Sequence, residues 1–140
     1  MKVSEVIIPK EVILLITFCV VLNMLRVELF GTMSLIYLLW NMLLAFIPFL
    51  ISSTLLWHVH HANVTKTEIV LGGMFWLLLF PNAPYVITDF IHLGESAQVP
   101  MWFDILLLFS CAWVGLEFAF HSLLQMEGLL RRDRKSTRLN

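Results

Sequence analysis

The stretch IVLGGMFWLLLFPNAPYVITDFIH, residues 69–92, decides the fold of this chain. It is apolar and long enough to cross a bilayer, which takes about 20 residues of helix, yet Pro81-Asn82-Ala83-Pro84 interrupts it. Proline lacks a backbone donor and clashes with the preceding turn, so lipid tolerates such a break only where protein or water satisfies the freed carbonyls. Breaks of this kind often mark binding sites in membrane proteins, and polar residues follow this one within two turns.

Composition places the whole chain in the membrane. Of 140 residues, 59% are hydrophobic and 14% are charged, and the mean hydropathy is +0.86, whereas about a quarter of the residues of a soluble domain are charged. The lipid bilayer is therefore the first expected partner. Nucleic acid is not an expected partner, because the basic residues form no stripe. Cys19 and Cys111 lie in apolar runs without metal-site spacing, so we expect them to be small buried hydrophobes.

The apolar runs predict an all-α fold, a polytopic membrane helical bundle of about four transmembrane helices, the third discontinuous at Pro81–Pro84. Residues 1–126 are expected to form a single transmembrane domain, followed by a basic tail at 127–140. Pro48 predicts a kink in the second span, with Ser52 and Ser53 about one turn on to help satisfy the backbone. The spans are expected at about residues 12–28, 32–57, 69–93 and 100–126.

The distribution of lysine and arginine predicts the orientation, because cytoplasmic loops carry the excess. If all spans cross, eight basic residues lie on one side and Arg26 alone lies on the other. A re-entrant third span would largely remove this asymmetry. We therefore expect a multi-pass protein of the plasma membrane with both termini in the cytoplasm, and with Asp89 and Asp104 at one level near the outer interface.

The polar residues that follow the break are the main candidate site. If an α-helix resumes after Pro84, Tyr85, Thr88, Asp89 and His92 share one face. A carboxylate beside an imidazole can hold a metal, orient a general base or relay protons. The alternative is structural, with Asp89 as a cap or salt-bridge partner and His92 as a headgroup anchor. The candidate polar site comprises Asn82, Tyr85, Thr88, Asp89, His92 and Asp104.

Metal binding is the weakest of these hypotheses. Asp89 and His92 provide two ligands, Asp104 is the obvious third donor, and zinc takes three or four protein ligands. No metal or other cofactor is assigned from the sequence. His58, His60 and His61 resemble a metal motif, but they are expected in a solvated or headgroup-contacting loop.

A second ionisable pair, Glu117 and His121, lies four positions apart on the last span, a spacing that brings side chains together on a helix. Arg26 is the other nominal partner of Glu117, but the charge count puts it at the opposite end of the span. We expect a structural pairing of Glu117 with His121 in preference to a proton path.

The string Phe80-Pro81-Asn82-Ala83-Pro84-Tyr85-Val86-Ile87-Thr88-Asp89-Phe90-Ile91-His92-Leu93 closely resembles the predicted membrane proteins of the domain of unknown function 1361 family. The segments Trp40 to Pro48 and Pro100 to Asp104 support the resemblance, which covers roughly Leu35 to Gln125. It implies a bacterial-type multispan membrane protein with no established activity, and so supplies no catalytic residues.

The tail Arg134-Lys135-Ser136-Thr137-Arg138-Leu139-Asn140 resembles translated sequencing-adapter read-through, which predicts a truncated chain that is not native from about residue 134. Without Lys135 and Arg138 the basic count is six against one, and the predicted orientation is unchanged.

Two functions remain open from the sequence. The first is a binding or transport-like module with a polar pocket at the broken span for a small or lipidic ligand. The second is an intramembrane, metal-dependent or metal-free enzyme that uses Asp89, His92 and Asp104 on a lipid-linked or headgroup substrate. A homo-oligomer is compatible with either function.

Overall fold

The computed structural model describes residues 8–61, 65–94 and 97–138, with side chains described as far as Arg131. All regular elements in these ranges are helical, which confirms the predicted all-α fold. The elements are α1 Lys10–Phe30, α2 Tyr37–His61, α3 Lys66–Leu79, α4 Asn82–Tyr85, a 3₁₀ helix Val86–His92 and α5 Met101–Arg138.

Among the described residues, four helical segments are long and apolar enough to cross a membrane, which confirms the predicted membrane bundle. They are Lys10–Phe30, Tyr37–His61, Lys66–His92 and Met101–Arg131.

The helix boundaries differ most from the sequence prediction at the start of the second helix and at the end of the last one. The second helix begins at Tyr37, later than expected, because Gly31 ends α1 in the left-handed conformation (φ 63°) and a turn follows. This Gly31 conformation is a common helix C-terminus. At the other end of the chain, α5 continues without a break to Arg138, so no change of structure marks the expected start of the tail.

The helices alternate in direction, and their ends meet at what we call the upper end of the bundle. There, Arg26 near the end of α1 bonds Asp104 in the first turn of α5, and Tyr37 at the start of α2 contacts His92 at the end of the 3₁₀ helix. The third segment therefore runs from the lower end to the upper end, as a crossing span does and a re-entrant segment does not.

The double-proline break separates a peripheral half of the third segment from an inserted half. In α3 the only buried residue is Trp76, whereas Ala83, Val86 and Asp89 beyond the break are all buried. Short-range bonds satisfy the backbone locally, since the Ala83 N–H donates to the Phe80 carbonyl at 3.0 Å. The break thus moves the chain from the lipid-facing side of α2 to a position between α2 and α5.

Gly115 on α5 makes room for this insertion. A Cβ atom at this position would lie 2.6 Å from the Ala83 carbonyl oxygen, closer than real Cβ contacts come. Gly72 plays the same part between α3 and α2, where a Cβ would overlap the side chain of Leu55.

The core lies along α5, whose inner face is closed by side chains from α1 and α2. Phe118 packs against Phe46 and Phe49 of α2 with tilted rings, whose centroids are 5.1 and 5.6 Å from its own. Cys19 and Cys111 are fully buried and lie within hydrogen-bonding reach of each other between α1 and α5. Pro48 lies inside α2, and the Ser52 hydroxyl one turn on donates to the Phe49 carbonyl at 3.0 Å.

Candidate functional site

Asp89 is the buried centre of the polar region that follows the break. It is 4% exposed, and its Oδ2 accepts a hydrogen bond of 2.8 Å from the Asn41 amide of α2. An intramembrane carboxylate is costly to bury without a partner, so this bond ties the third segment to the second.

The expectation that Tyr85, Thr88, Asp89 and His92 share one face is wrong. Residues 86–92 form a 3₁₀ helix with 3.0 residues per turn, which aligns every third side chain. Asp89 therefore lies above Val86 on the buried face, while Tyr85 is 58% exposed and Thr88 is exposed, its hydroxyl donating to the Tyr85 carbonyl at 2.7 Å.

The 3₁₀ helix and α2 face each other in a fixed antiparallel register. Tyr37 and His92 make an edge-to-face ring contact with centroids 5.4 Å apart, and one turn below them Asn41 bonds Asp89. The sequence prediction left Tyr37 and Asn41 out of the site. Tyr37 and Asn41 are one helical turn apart at the start of α2, which packs against the broken third segment. This spacing was the sequence signal that could have placed both residues in the site.

Asp104 belongs to a different polar group. Its carboxylate binds Arg26 through two bonds, Nε to Oδ1 at 2.8 Å and Nη2 to Oδ2 at 3.3 Å. The Arg26 Nη1 donates in addition to the Thr32 and Ser34 hydroxyls at 2.9 and 3.0 Å. This buried bidentate pair, supported by loop hydroxyls, joins α1 to α5 and uses the oxygens that a metal at Asp104 would need.

Asp89 and Asp104 also lie at different heights, contrary to expectation. Helices α2 and α5 run in the same direction, with Phe49 against Phe118 and the Ser53 hydroxyl bonded to Gln125. A residue of α2 therefore lies beside an α5 residue roughly 70 positions later, which puts Asn41 and its partner Asp89 about two turns, roughly 10 Å, below Asp104.

The metal hypothesis for Asp89, His92 and Asp104 gains no support from these positions. In the part of the chain that the structure describes, no group of three His, Cys, Asp or Glu side chains is arranged to hold a metal ion. The physical reason is that Arg26 holds Asp104 at another level of the bundle. The described residues assign no cofactor.

A small cleft opens beside the Asn41–Asp89 bond. It has a volume of about 100 Å³ and is lined by Asn41, Leu44, Asn82 and Tyr85. Within the described chain, the Asn82 amide and the Tyr85 hydroxyl make no side-chain hydrogen bond, so both can hydrogen-bond to a ligand.

The remaining predicted residues lie at the lower end. Glu117 Oε2 and His121 Nδ1 are 3.8 Å apart on α5, too far for a hydrogen bond but close enough for an ion pair if the imidazole is protonated. His58, His60 and His61, expected in a loop, form the last turn of α2 instead, where the His58 and His61 rings bond carbonyls one turn earlier.

The fold and the polar site define the class: this is a multi-pass helical membrane protein whose broken third span is anchored by a buried carboxylate. The sequence profile of the proteins of unknown function DUF1361 matches residues 40–140. The chain belongs to this family, as its resemblance indicated. No curated protein and no solved structure matches the chain.

Proposed function

We propose that this protein is a membrane binding or transport-like module, and that the cleft of Asn41, Leu44, Asn82 and Tyr85 takes a small polar group of a soluble or lipidic ligand. The observation that carries the proposal is the buried Asn41–Asp89 bond at 2.8 Å beside that cleft. Asp89 and two of the cleft residues, Asn82 and Tyr85, belong to the span that the two prolines interrupt.

The location of the Asn41–Asp89 bond supports a functional role. Asn41 lies one turn inside α2 and Asp89 one turn inside the third membrane-length segment, so their bond lies within two candidate spans. Ionisable groups inside spans are rare and mark ligand or ion pathways. Discontinuous spans near the midplane form the substrate sites of many transporters.

The charges around the cleft indicate the class of ligand. Asp89 is the nearest acidic group, and Asn82 and Tyr85 offer an amide and a hydroxyl. The Arg26 guanidinium is committed to Asp104 and the loop hydroxyls. The site therefore favours a hydroxyl- or amine-bearing group over an anion such as phosphate.

Orientation is part of the proposal. Arg26 is buried and neutralised by Asp104, so it does not count as a free positive charge of the upper end. The basic residues in the loop after α2 and in the tail then set the orientation. We place the protein in the plasma membrane with the upper end outside and both termini in the cytoplasm.

The alternative of an intramembrane enzyme on a lipid-linked or headgroup substrate requires Asp89, His92 and Asp104 to act on one group. Arg26 binds Asp104 about two turns above Asp89, so Asp104 is not available to act beside Asp89.

Thermal unfolding in lipid nanodiscs tests the proposal with ethanolamine and glycerol as probes and inorganic phosphate as the anionic comparison. We expect ethanolamine or glycerol, and not phosphate, to raise the midpoint. Asn82→Ala and Tyr85→Phe should weaken this binding about tenfold, since each removes roughly one hydrogen bond to a guest. Thr88→Val, which removes an exposed hydroxyl bonded only to the backbone, is the matched control. Stabilisation that is absent, or equal in all three variants, would overturn the proposal.

A further inference from the structure

An apolar groove runs between α1 and α2, two of the membrane-length helices. Ile8, just before α1, lines one wall with Ile16 and Val20 of α1, while Leu43 belongs to the α2 wall and Phe118 of α5 lies between them. We call this space the α1–α2 groove. All the side chains that line it are apolar, and its volume is about 310 Å³.

The α1–α2 groove exists because α1 packs on α5 and scarcely contacts α2 in the described chain. It is separate from the polar cleft, since Leu43 and Asn41 are two positions apart and so face opposite flanks of α2. Water does not fill an apolar space of this kind, because it finds no hydrogen-bond partners there. An apolar group from the surrounding membrane must therefore occupy it.

The size of the α1–α2 groove selects an acyl chain over a helix. From Ile8 to Val20 the groove extends about 18 Å at 1.5 Å per residue. An apolar cavity of about 150 Å³ holds benzene, a ring of six carbons, so about 310 Å³ holds roughly a dozen carbons. A helix about 10 Å wide would need roughly 1,400 Å³ over the same length. The groove is therefore too narrow for a helix of a second copy or of another protein to enter.

The charges at the lower mouth of the α1–α2 groove indicate which lipid occupies it. The mouth lies at the start of α1, where Lys10 and Glu11 are both exposed. A cation and an anion side by side are complementary to the phosphate and the ammonium of a zwitterionic headgroup. The groove then extends upward by about the 15 Å that one leaflet contributes to a hydrocarbon core of about 30 Å.

We infer that the α1–α2 groove binds one acyl chain of a zwitterionic phospholipid from the lower leaflet, with the headgroup at Lys10 and Glu11. The chain lies between Ile16 and Leu43 and contacts Phe118. It completes the packing of α1 against α2, which the two helices do not achieve by themselves.

Native mass spectrometry of the full chain tests this inference after delipidation in detergent and titration with dioleoyl phosphatidylethanolamine. We expect the first lipid to bind at least tenfold more tightly than later ones, because only the first fills a void. Ile16→Trp or Leu43→Trp should weaken the first binding about tenfold by overfilling the groove. Leu14→Trp is the matched control, because Leu14 is 70% exposed and lies about 200° around α1 from Ile16.

Headgroup variants then show whether the lipid enters from the lower mouth. Lys10→Gln should weaken phosphatidylethanolamine binding about fivefold and leave dioleoylglycerol, which has the same chains without phosphate or ammonium, unchanged. Unfolding midpoints check that each variant folds, and either groove-filling variant suffices if the other does not. Successive lipids of equal affinity, equal weakening by the Ile16, Leu43 and Leu14 variants, or dioleoylglycerol binding as tight as phosphatidylethanolamine would overturn the inference.

Discussion

Arg26 and Asp104 lie 78 positions apart in the sequence, yet the Nε of one donates to the Oδ1 of the other at 2.8 Å, with both side chains only 2% exposed. This pair fixes the end of α1 against the start of α5. The pair also explains why Arg26 lies near the end of the apolar first span. From the sequence alone, an arginine at this position would be interpreted as the membrane boundary. A bidentate geometry with two further hydroxyl acceptors is the condition under which a buried ion pair repays its desolvation.

Replacing one partner of the Arg26–Asp104 pair should destabilise the bundle more than replacing both. We expect Arg26→Met or Asp104→Leu alone to lower the free energy of unfolding by about 3–5 kcal/mol, because each leaves an uncompensated buried charge. The double variant should recover most of that loss. Equilibrium unfolding in mixed micelles of the single and double variants measures the coupling, and additive losses would show that the two residues act independently.

Gly115 should be essential to the inserted half of the third segment. The Cβ of Gly115→Ala would meet the Ala83 carbonyl at 2.6 Å, so α4 must shift, and we expect a loss of about 1–3 kcal/mol in unfolding free energy. Gly128→Ala on the same helix is the control, since nothing lies within 4 Å of its Cβ. Alanine there should be neutral or stabilising by up to about 1 kcal/mol. Equal effects at the two glycines would contradict the close packing of α4 on α5.

The sequence was sufficient to predict the spans and the break, because both depend on local properties: apolar length and the missing N–H of Pro81 and Pro84. It also identified Asp89 as a residue of interest. The partners of Asp89 and Asp104 could not be predicted in the same way. The partner of Asp104 depends on how α1 packs along α5, and the partner of Asp89 depends on how the third segment packs along α2. Both are long-range arrangements that the local sequence does not contain.

The local geometry after Pro84 was unpredictable for a related reason. The composition of Val86 to His92 is compatible with either an α-helix or a 3₁₀ helix, but the two helices place different side chains on the buried face. The choice decides whether Tyr85 or Val86 shares a side with Asp89. The 3₁₀ segment packs against both α2 and α5, and these tertiary contacts are absent from the local sequence.

Asn41 should stabilise the bundle through Asp89. Asn41→Leu removes the amide that donates to the carboxylate at 2.8 Å, and a buried group left unsatisfied costs about 1–3 kcal/mol. Asn41→Leu combined with Asp89→Leu should be less destabilising than Asn41→Leu alone, because no polar group is then orphaned. Unfolding midpoints in nanodiscs measure both variants. A double variant at least as unstable as the sum of its singles would show that Asn41 and Asp89 contribute separately.

The two cysteines offer a check on the packing of α1 against α5. Cys19 and Cys111 are both fully buried, so neither thiol should react with a water-soluble maleimide in the native protein, and both should react after unfolding in SDS. Thr67→Cys, at an exposed position in the first turn of α3, should label in the native state and shows that the reagent reaches the protein. Lipid around an unpacked α1 would shield Cys19 from the water-soluble maleimide as well as the bundle does. A membrane-permeable maleimide therefore separates protection by helix packing from shielding by lipid. Resistance to both reagents in the native state is therefore the expected result, and reaction of Cys19 with the permeable reagent alone would show that α1 is not packed on α5.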